Sequence, residues 1–255
     1  MKLGLLGAIA LAGACCVPSY ASSFSGTSIP IPSGLVSGDT FQFVFVTYEA
    51  YIGISGTIGT YNADVSTSAN ETLSLVNGLG ITWSALVSTP SENVLNNIAD
   101  TSPSTPGFAG IYDLGGNLIA DGTETTGEGL YSGSIQHPLD IDEYGGASSE
   151  NIAWTGTDSN GTTSSDSLGR SVPLVGLNTS TSSWTEDTTK SKEDFIPLYA
   201  ISNVLTLGSG DQIELGPVPE PATVWITLFG LAACYLAAKR KRIASSASTL
   251  RPIRS

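Results

Sequence analysis

Apolar and polar positions along the chain repeat at two different periods, which predicts both strands and helices. Thr40–Tyr48 has three phenylalanines on one face and two valines on the other, so both faces are apolar. Such a pattern is typical of a strand at the centre of a sheet. Leu198–Leu207 also alternates, and it is predicted to lie beside Thr40–Tyr48 in the same sheet.

Two helices are predicted between these strands. The apolar positions of the first recur every three or four residues, at Ile58, Tyr61, Val65, Ala69, Leu73 and Val76. This spacing places them on one helical face, and Gly78 or Gly80 is expected to end the helix. The second helix is predicted to begin with a capping box, in which Thr89 is the N-cap and Glu92 is the third helical residue.

From residue 99 the chain is rich in Thr, Ser, Gly and Asp, which predicts short strands joined by long loops. A hairpin is expected where Gly115-Gly116-Asn117 separates two apolar segments. Ala153–Thr157 is predicted to be a strand that leads into a turn at Asp158–Gly161. Thr162–Thr189 shows little periodicity. The predicted fold class is therefore α+β, as a single domain over residues 39–208 with a loop-rich second half.

The N-terminus is predicted to direct export. Lys2 precedes an apolar stretch over residues 3–17, and Ser19-Tyr20-Ala21 places small residues where signal peptidase reads them. This pattern predicts a signal peptide over residues 1–21 that is cleaved after Ala21. Residues 22–38, rich in Ser, Pro and Gly, are predicted to form a lead-in to the domain.

The C-terminus has a three-part pattern over residues 218–242. Pro219-Glu220-Pro221 is followed by the uncharged span 222–238 and then by Lys239-Arg240-Lys241-Arg242. A helix over this span would be about 25 Å long, at the short end for a membrane core of about 30 Å. The basic cluster is expected to stay in the cytoplasm, which makes residues 243–255 a cytoplasmic tail. Residues 209–217 are predicted to be a linker.

This three-part pattern resembles the PEP-CTERM sorting signal of bacterial surface proteins. The resemblance implies recognition by exosortase and anchoring in the inner membrane through the C-terminal helix. After processing, the protein is then expected at the cell surface, in the outer envelope or in the extracellular matrix.

Charge and cysteine content narrow the classes of partner. Residues 22–221 contain three basic residues, Arg170, Lys190 and Lys192, against all twenty-three acidic ones, a formal charge of −20. Such an acidic segment repels nucleic acid and anionic lipid, so no nucleic-acid partner is expected. The cysteines are at positions 15, 16 and 234. The predicted domain therefore has no disulfide and depends on its core.

Several landmarks of this domain stand in a familiar order. They are Tyr61-Asn62-Ala63, Trp83-Ser84-Ala85, Gly110–Leu114, Pro138-Leu139-Asp140, Trp154–Asp158 with Asn160-Gly161, and Trp184. Their order over Thr40–Leu207 resembles that in endostatin-type C-type-lectin-like domains, which implies a C-type-lectin-like fold. The disulfides and the calcium-binding triplets of sugar-binding C-type lectins are missing, so the resemblance implies a fold and no particular function.

Candidate binding residues are few. Asp140, Asp142 and Glu143 lie within four residues of each other, and an extended chain would put the first two on one face. They could bind Ca²⁺, act as a glycosidase-like carboxylate pair, or form a solvated acidic loop without either role. No cofactor, metal site or catalytic residue is predicted, and Ca²⁺ stays an alternative. Trp184 lies among polar residues, where we expect it to be exposed and able to stack on a sugar.

Together these features predict a non-catalytic binding or structural module at the cell surface. Its ligand would be a polysaccharide or a surface protein, held by the loop-rich half from Ile111 to Trp184. The alternative is a secreted hydrolase that uses the carboxylates of Asp140–Glu143. The sequence favours binding, because it supplies export, anchoring and loops but no assembled nucleophile, base and orienting group.

Overall fold

The computed structural model describes residues 29–98, 108–121, 129–209 and 213–214. Several predictions lie outside these residues: the signal peptide with Ala21, residues 22–28 of the lead-in, the sorting signal over residues 218–242 and the tail over residues 243–255. No helix among the described residues is both long enough and apolar enough to cross a membrane.

The described residues form a mostly-β α+β fold. Their elements are β1 (Thr40–Val46), β2 (Tyr51–Ile52), α1 (Ile58–Ala69), β3 (Trp83–Ala85), α2 (Val94–Asn97), β4 (Phe108–Asp113), β5 (Leu118–Ala120), β6 (Ile152–Trp154), β7 (Leu174–Leu177), β8 (Thr188–Thr189), β9 (Phe195–Ile196), β10 (Tyr199–Ser202), β11 (Leu205–Leu207) and β12 (Ile213–Glu214). Strands β1, β3, β4, β5, β10, β11 and β12 form the main sheet. Strands β6, β7 and β8 form a small sheet, and β2 pairs with β9 in a separate ribbon.

Strand β1 is the centre of the main sheet. On one edge it pairs antiparallel with β10 and β11, which places Val44 opposite Ile201. On the other edge it pairs parallel with β4, which places Phe43 opposite Tyr112. Every residue of β1 is buried, because strands cover both edges and side chains pack on both faces. The predicted central position of the first strand, and its pairing with the last strand of the predicted domain, are confirmed.

The two faces of β1 belong to two separate cores. Phe41, Phe43 and Phe45 pack with α1 and with Trp83 in the first core, where the Phe45 and Trp83 rings lie edge to face at 4.8 Å. Val44 and Val46 pack into the second core, on the opposite face. Because its side chains alternate between the two faces, β1 contributes to both cores. A domain without disulfides depends on such cores for its stability.

Helix α1 ends seven residues earlier than predicted. The Ser66 hydroxyl donates back to the Asn62 carbonyl at 2.7 Å, and Thr67 bonds back to residue 63 in the same way. The Asn70 side chain then donates to the Ser66 carbonyl, also at 2.7 Å. Such local bonds compete with helix continuation. Leu73 is consequently 80% exposed in the following turns, and neither Gly78 nor Gly80 ends the helix.

The predicted capping box is also wrong. The N-cap of the one-turn helix α2 is Asn93, whose side-chain oxygen accepts the Asn96 N–H at 2.8 Å. Thr89 and Glu92 instead exchange backbone hydrogen bonds of 2.8 and 3.3 Å in a tight turn. An Asx cap at Asn93, four residues after Thr89, therefore takes the place of the Thr-x-x-Glu box.

The predicted hairpin and the predicted turn are confirmed. Strands β4 and β5 pair around Gly116, whose φ of +85° suits glycine. Strand β6 leads into the turn in which the Gly161 N–H donates to the Asp158 carbonyl at 2.9 Å. Two further features differ from the sequence prediction. Thr162–Thr189 contains β7 and β8, and β12 extends the main sheet into the predicted linker 209–217.

The predicted exposure of Trp184 is wrong. Its side chain is 2% exposed and packs in the second core between Tyr131 and Tyr199, with ring centroids 5.1 and 5.9 Å away. Gly176 makes this approach possible, because a Cβ at position 176 would overlap the Trp184 carbonyl. Trp184 is therefore an anchor of the core, and its indole face is not available to a sugar.

Candidate functional site

The acidic cluster of residues 140–143 is not a solvated loop. Asp142 and Glu143 are 4% and 0% exposed, and Asp140 is half-buried. The Asp142 carboxylate accepts the N–H groups of Tyr144 at 3.0 Å and of Gly146 at 2.8 Å. This carboxylate therefore shapes a turn, in the way that Asp side chains commonly do.

Glu143 holds a neighbouring loop. One of its carboxylate oxygens accepts the Tyr48 N–H at 2.8 Å, while the other has no hydrogen-bond partner among the described residues. Burial raises the pKa of Glu143 to about 7, and the charges of Asp142 and Glu71 add to the shift against two opposing backbone hydrogen bonds. The carboxyl group is thus partly protonated at neutral pH, and it is closed off from solvent.

Two tyrosines cover this region. The Tyr48 ring meets the Tyr144 ring edge-on, with centroids 5.5 Å apart, and Tyr48 is 51% exposed. The Tyr144 hydroxyl donates to the Glu71 carboxylate, and this hydrogen bond is the main reason that the pKa of Tyr144 is raised. Among the described residues, no group of three or more His, Cys, Asp or Glu side chains is placed to hold a metal ion.

A different part of the surface forms an open depression, which we call the ribbon groove. It has a volume of about 480 Å³ and lies where β2 leads into α1. It is lined by Tyr51, Ile52, Ile54, Ser55, Thr60 and Asp64. The acidic cluster and Trp184 do not line it.

The buried Trp154 supports the ribbon groove from below. Its indole N–H donates to the Tyr51 carbonyl at 2.8 Å, and its backbone N–H donates to the Pro197 carbonyl at 2.8 Å. Gly53 lies so close to the indole that a Cβ there would be 3.2 Å from the ring. Trp154 therefore holds the ribbon of β2 and β9 in place.

Polar groups of the ribbon groove are held in place by hydrogen bonds. The Ser55 hydroxyl donates to the Thr60 hydroxyl at 3.0 Å. The Tyr51 hydroxyl donates to the Asp64 carbonyl at 3.2 Å and shares a 2.7 Å hydrogen bond with Ser68. The Asp64 side chain is half-buried, and this burial raises its pKa. The groove therefore presents the hydrogen-bonded hydroxyls of Ser55 and Thr60 together with the half-buried Asp64 side chain.

Apolar side chains form the rim of the ribbon groove. Phe195 is 73% exposed and lies directly opposite Ile52 in the antiparallel pair of β2 and β9. Opposite residues of such a pair share one face, so Phe195 lies on the face of a groove residue. Ile54, which lines the groove, is 46% exposed. An exposed ring next to fixed polar groups can stack on the C–H face of a sugar while its hydroxyls are hydrogen-bonded.

No protein-family model matches the chain, and no curated protein matches it. Sequence reasoning missed Phe195, although one signal was present: this phenylalanine directly follows the charged run Lys192-Glu193-Asp194. A large apolar residue next to such a run is a candidate for an exposed contact.

Proposed function

We propose that the protein is an exported binding module that holds a polysaccharide at the ribbon groove without changing it chemically. The observation that supports this most is the exposed Phe195 side chain, which lies opposite the groove residue Ile52 on one face of the ribbon of β2 and β9. Binding sites commonly combine an apolar surface with a few fixed polar groups. The residues that line the groove, and Phe195, lie outside the loop-rich half from Ile111 to Trp184, where the site was expected.

Hydrolysis by the acidic cluster is the weaker alternative. A general acid or base must come within hydrogen-bond reach of the substrate. Glu143 is fully buried, and Asp142 is occupied by two backbone N–H groups. Asp140 alone of the three is half-buried. Burial accounts for the raised pKa of Glu143, and the same burial keeps its carboxyl group out of reach of a substrate.

The proposal includes the route to the surface. Export by the signal peptide over residues 1–21 is followed by recognition of residues 218–242 by exosortase, and residues 39–208 form a C-type-lectin-like domain. The order of the sequence motifs supports both parts. Intact mass of the protein from the cell surface tests the sorting step. We expect loss of the span 222–238 near Pro219-Glu220-Pro221, and a surface form that retains the span would contradict processing.

Retention of the full chain, in detergent, on a panel of immobilised polysaccharides tests the binding function. Phe195→Ala should weaken retention about tenfold, the loss expected for one aromatic contact of about 1.4 kcal/mol. Asp64→Asn should weaken it less. Leu73→Ala is the matched control, because Leu73 is a similarly exposed apolar residue that lies outside the ribbon of β2 and β9. Equal retention of Phe195→Ala and Leu73→Ala, with both folded by circular dichroism, would reject the groove.

A further inference from the structure

The three Lys and Arg residues of the described part of the chain lie on segments that adjoin the ribbon groove. Arg170, Lys190 and Lys192 are the only basic residues between positions 3 and 238, and they are spread over 23 residues of sequence. The fold joins their segments around Gly53. The Gly53 N–H donates to the Lys192 carbonyl at 2.8 Å, and the Gly53 carbonyl accepts the N–H of the residue before Arg170 at 2.9 Å.

Lys190 joins the same surface from a second direction. Its N–H donates to the Pro173 carbonyl at 2.9 Å, which ties the segment of Lys190 and Lys192 to the loop that follows Arg170. Arg170 is exposed, and both lysines are half-buried. Half-buried lysines cover apolar surface with their stems while the ammonium groups stay in water. We call the segments 53–56, 169–173 and 190–195 the cationic rim.

Exposed apolar side chains are concentrated in the same segments. Ile54, Val172 and Phe195 are 46%, 46% and 73% exposed, and each belongs to a different segment of the cationic rim. Backbone hydrogen bonds thus join three segments, each of which carries an exposed apolar side chain and two of which carry the cations. Exposed apolar side chains grouped in this way are typical of a binding site.

We propose that the ligand of the ribbon groove is an anionic polysaccharide with carboxylates along its chain. This inference rests on the proposed function and specifies its ligand class. Arg170 lies on one loop and the two lysines lie on another, so a polymer with repeated charges fits them better than a small anion. Each exposed charge pair contributes at most about 1 kcal/mol, and binding therefore needs several pairs along one chain.

Acidic neighbours set the selectivity of this surface. Glu193 and Asp194 are exposed within the cationic rim, and the Asp194 carboxylate accepts the Ser191 N–H at 3.2 Å. The rest of the exported part is acidic as well. A uniformly charged polyanion is therefore repelled by most of the surface, and it can be held only where cations and apolar side chains occur together.

Polygalacturonate and its methyl-esterified form test the proposal, because they share one sugar chain and differ in charge. The full chain in detergent should bind the free acid at least tenfold more tightly at low salt, and this ratio should fall as salt screens the charges. The triple variant Arg170→Gln/Lys190→Gln/Lys192→Gln should lower the ratio to about one. The matched control is Leu73→Asp/Ser149→Asp/Thr179→Asp, which changes net charge by the same amount at exposed positions elsewhere.

The outcomes separate this inference from the proposed function. Equal binding of the two polymers, with both weakened by Phe195→Ala, would overturn the anionic ligand and keep the groove. The inference would also be overturned if the triple variant and its control lost the preference for the free acid to the same extent, since net charge alone would then explain that preference. Binding of neither polymer, with self-association in sedimentation that the triple variant abolishes, would make the cationic rim an interface between copies.

Discussion

At the scale of single residues, buried polar side chains hold the loops of this protein. Glu143 fixes Tyr48, Asp142 closes its own turn, and the Thr47 hydroxyl accepts the Leu198 N–H at 2.9 Å. Each of these groups is buried at 4% exposure or less. Polar groups at such depth stabilise a structure only while they are paired, so they act as connections between segments that have little apolar surface of their own.

Glu143 makes stability depend on pH. Its pKa is about 7 in the folded protein and roughly 4.3 in an unfolded chain. Between these values the folded state holds a proton that the unfolded state has lost, so stability falls as pH rises from about 4.3 through 7. Glu143→Gln keeps an acceptor for Tyr48 and should flatten this fall in stability, which urea midpoints at pH 5 and pH 8 would measure.

The control is Glu150→Gln, at an exposed carboxylate, which should leave the fall in stability unchanged. Identical pH slopes for wild type and Glu143→Gln would contradict this role.

At the scale of elements, sequence patterns predicted strands better than helix ends or exposure. The two apolar faces of β1 and the turn at Gly161 depend on local pattern, and both are confirmed. The end of α1 was missed because Leu73 and Val76 continue the apolar period, while side-chain bonds near Ser66 end the helix. Burial of Trp184 and exposure of Phe195 follow from contacts between distant segments, which no local pattern contains.

The ribbon of β2 and β9 depends on Trp154. Trp154→Phe keeps most of the apolar packing but removes the indole N–H that donates to the Tyr51 carbonyl. The carbonyl can turn to water at this partly buried position, so we expect a loss of about 1 kcal/mol in the free energy of unfolding. Polysaccharide retention should weaken at the same time, because the groove loses its support.

Trp83→Phe is the control, since Trp83 packs on Phe45 in the first core. Retention that falls no further in Trp154→Phe than in this control would count against Trp154 as the support of the groove.

At the scale of the whole molecule, residues 22–221 have a formal charge of −20, and one surface has a different character. The acidic residues repel most polyanions. The ribbon groove and the cationic rim then form the place where a polymer can be held. The charge imbalance can be read from the sequence. Only in the folded chain are the segments of Arg170, Lys190 and Lys192 joined around Gly53. This arrangement depends on backbone hydrogen bonds between residues more than a hundred positions apart, which is why it could not be predicted.

Hydrogen exchange of the full chain, with and without the polysaccharide that it retains best, tests the central claim most directly. A ligand in the ribbon groove should slow amide exchange in residues 51–55 and 190–196. Residues 140–148 and 176–185, which include the acidic cluster and Trp184, should exchange as before. Slower exchange confined to those two segments would place the ligand in the loop-rich half and contradict the ribbon groove as the binding site.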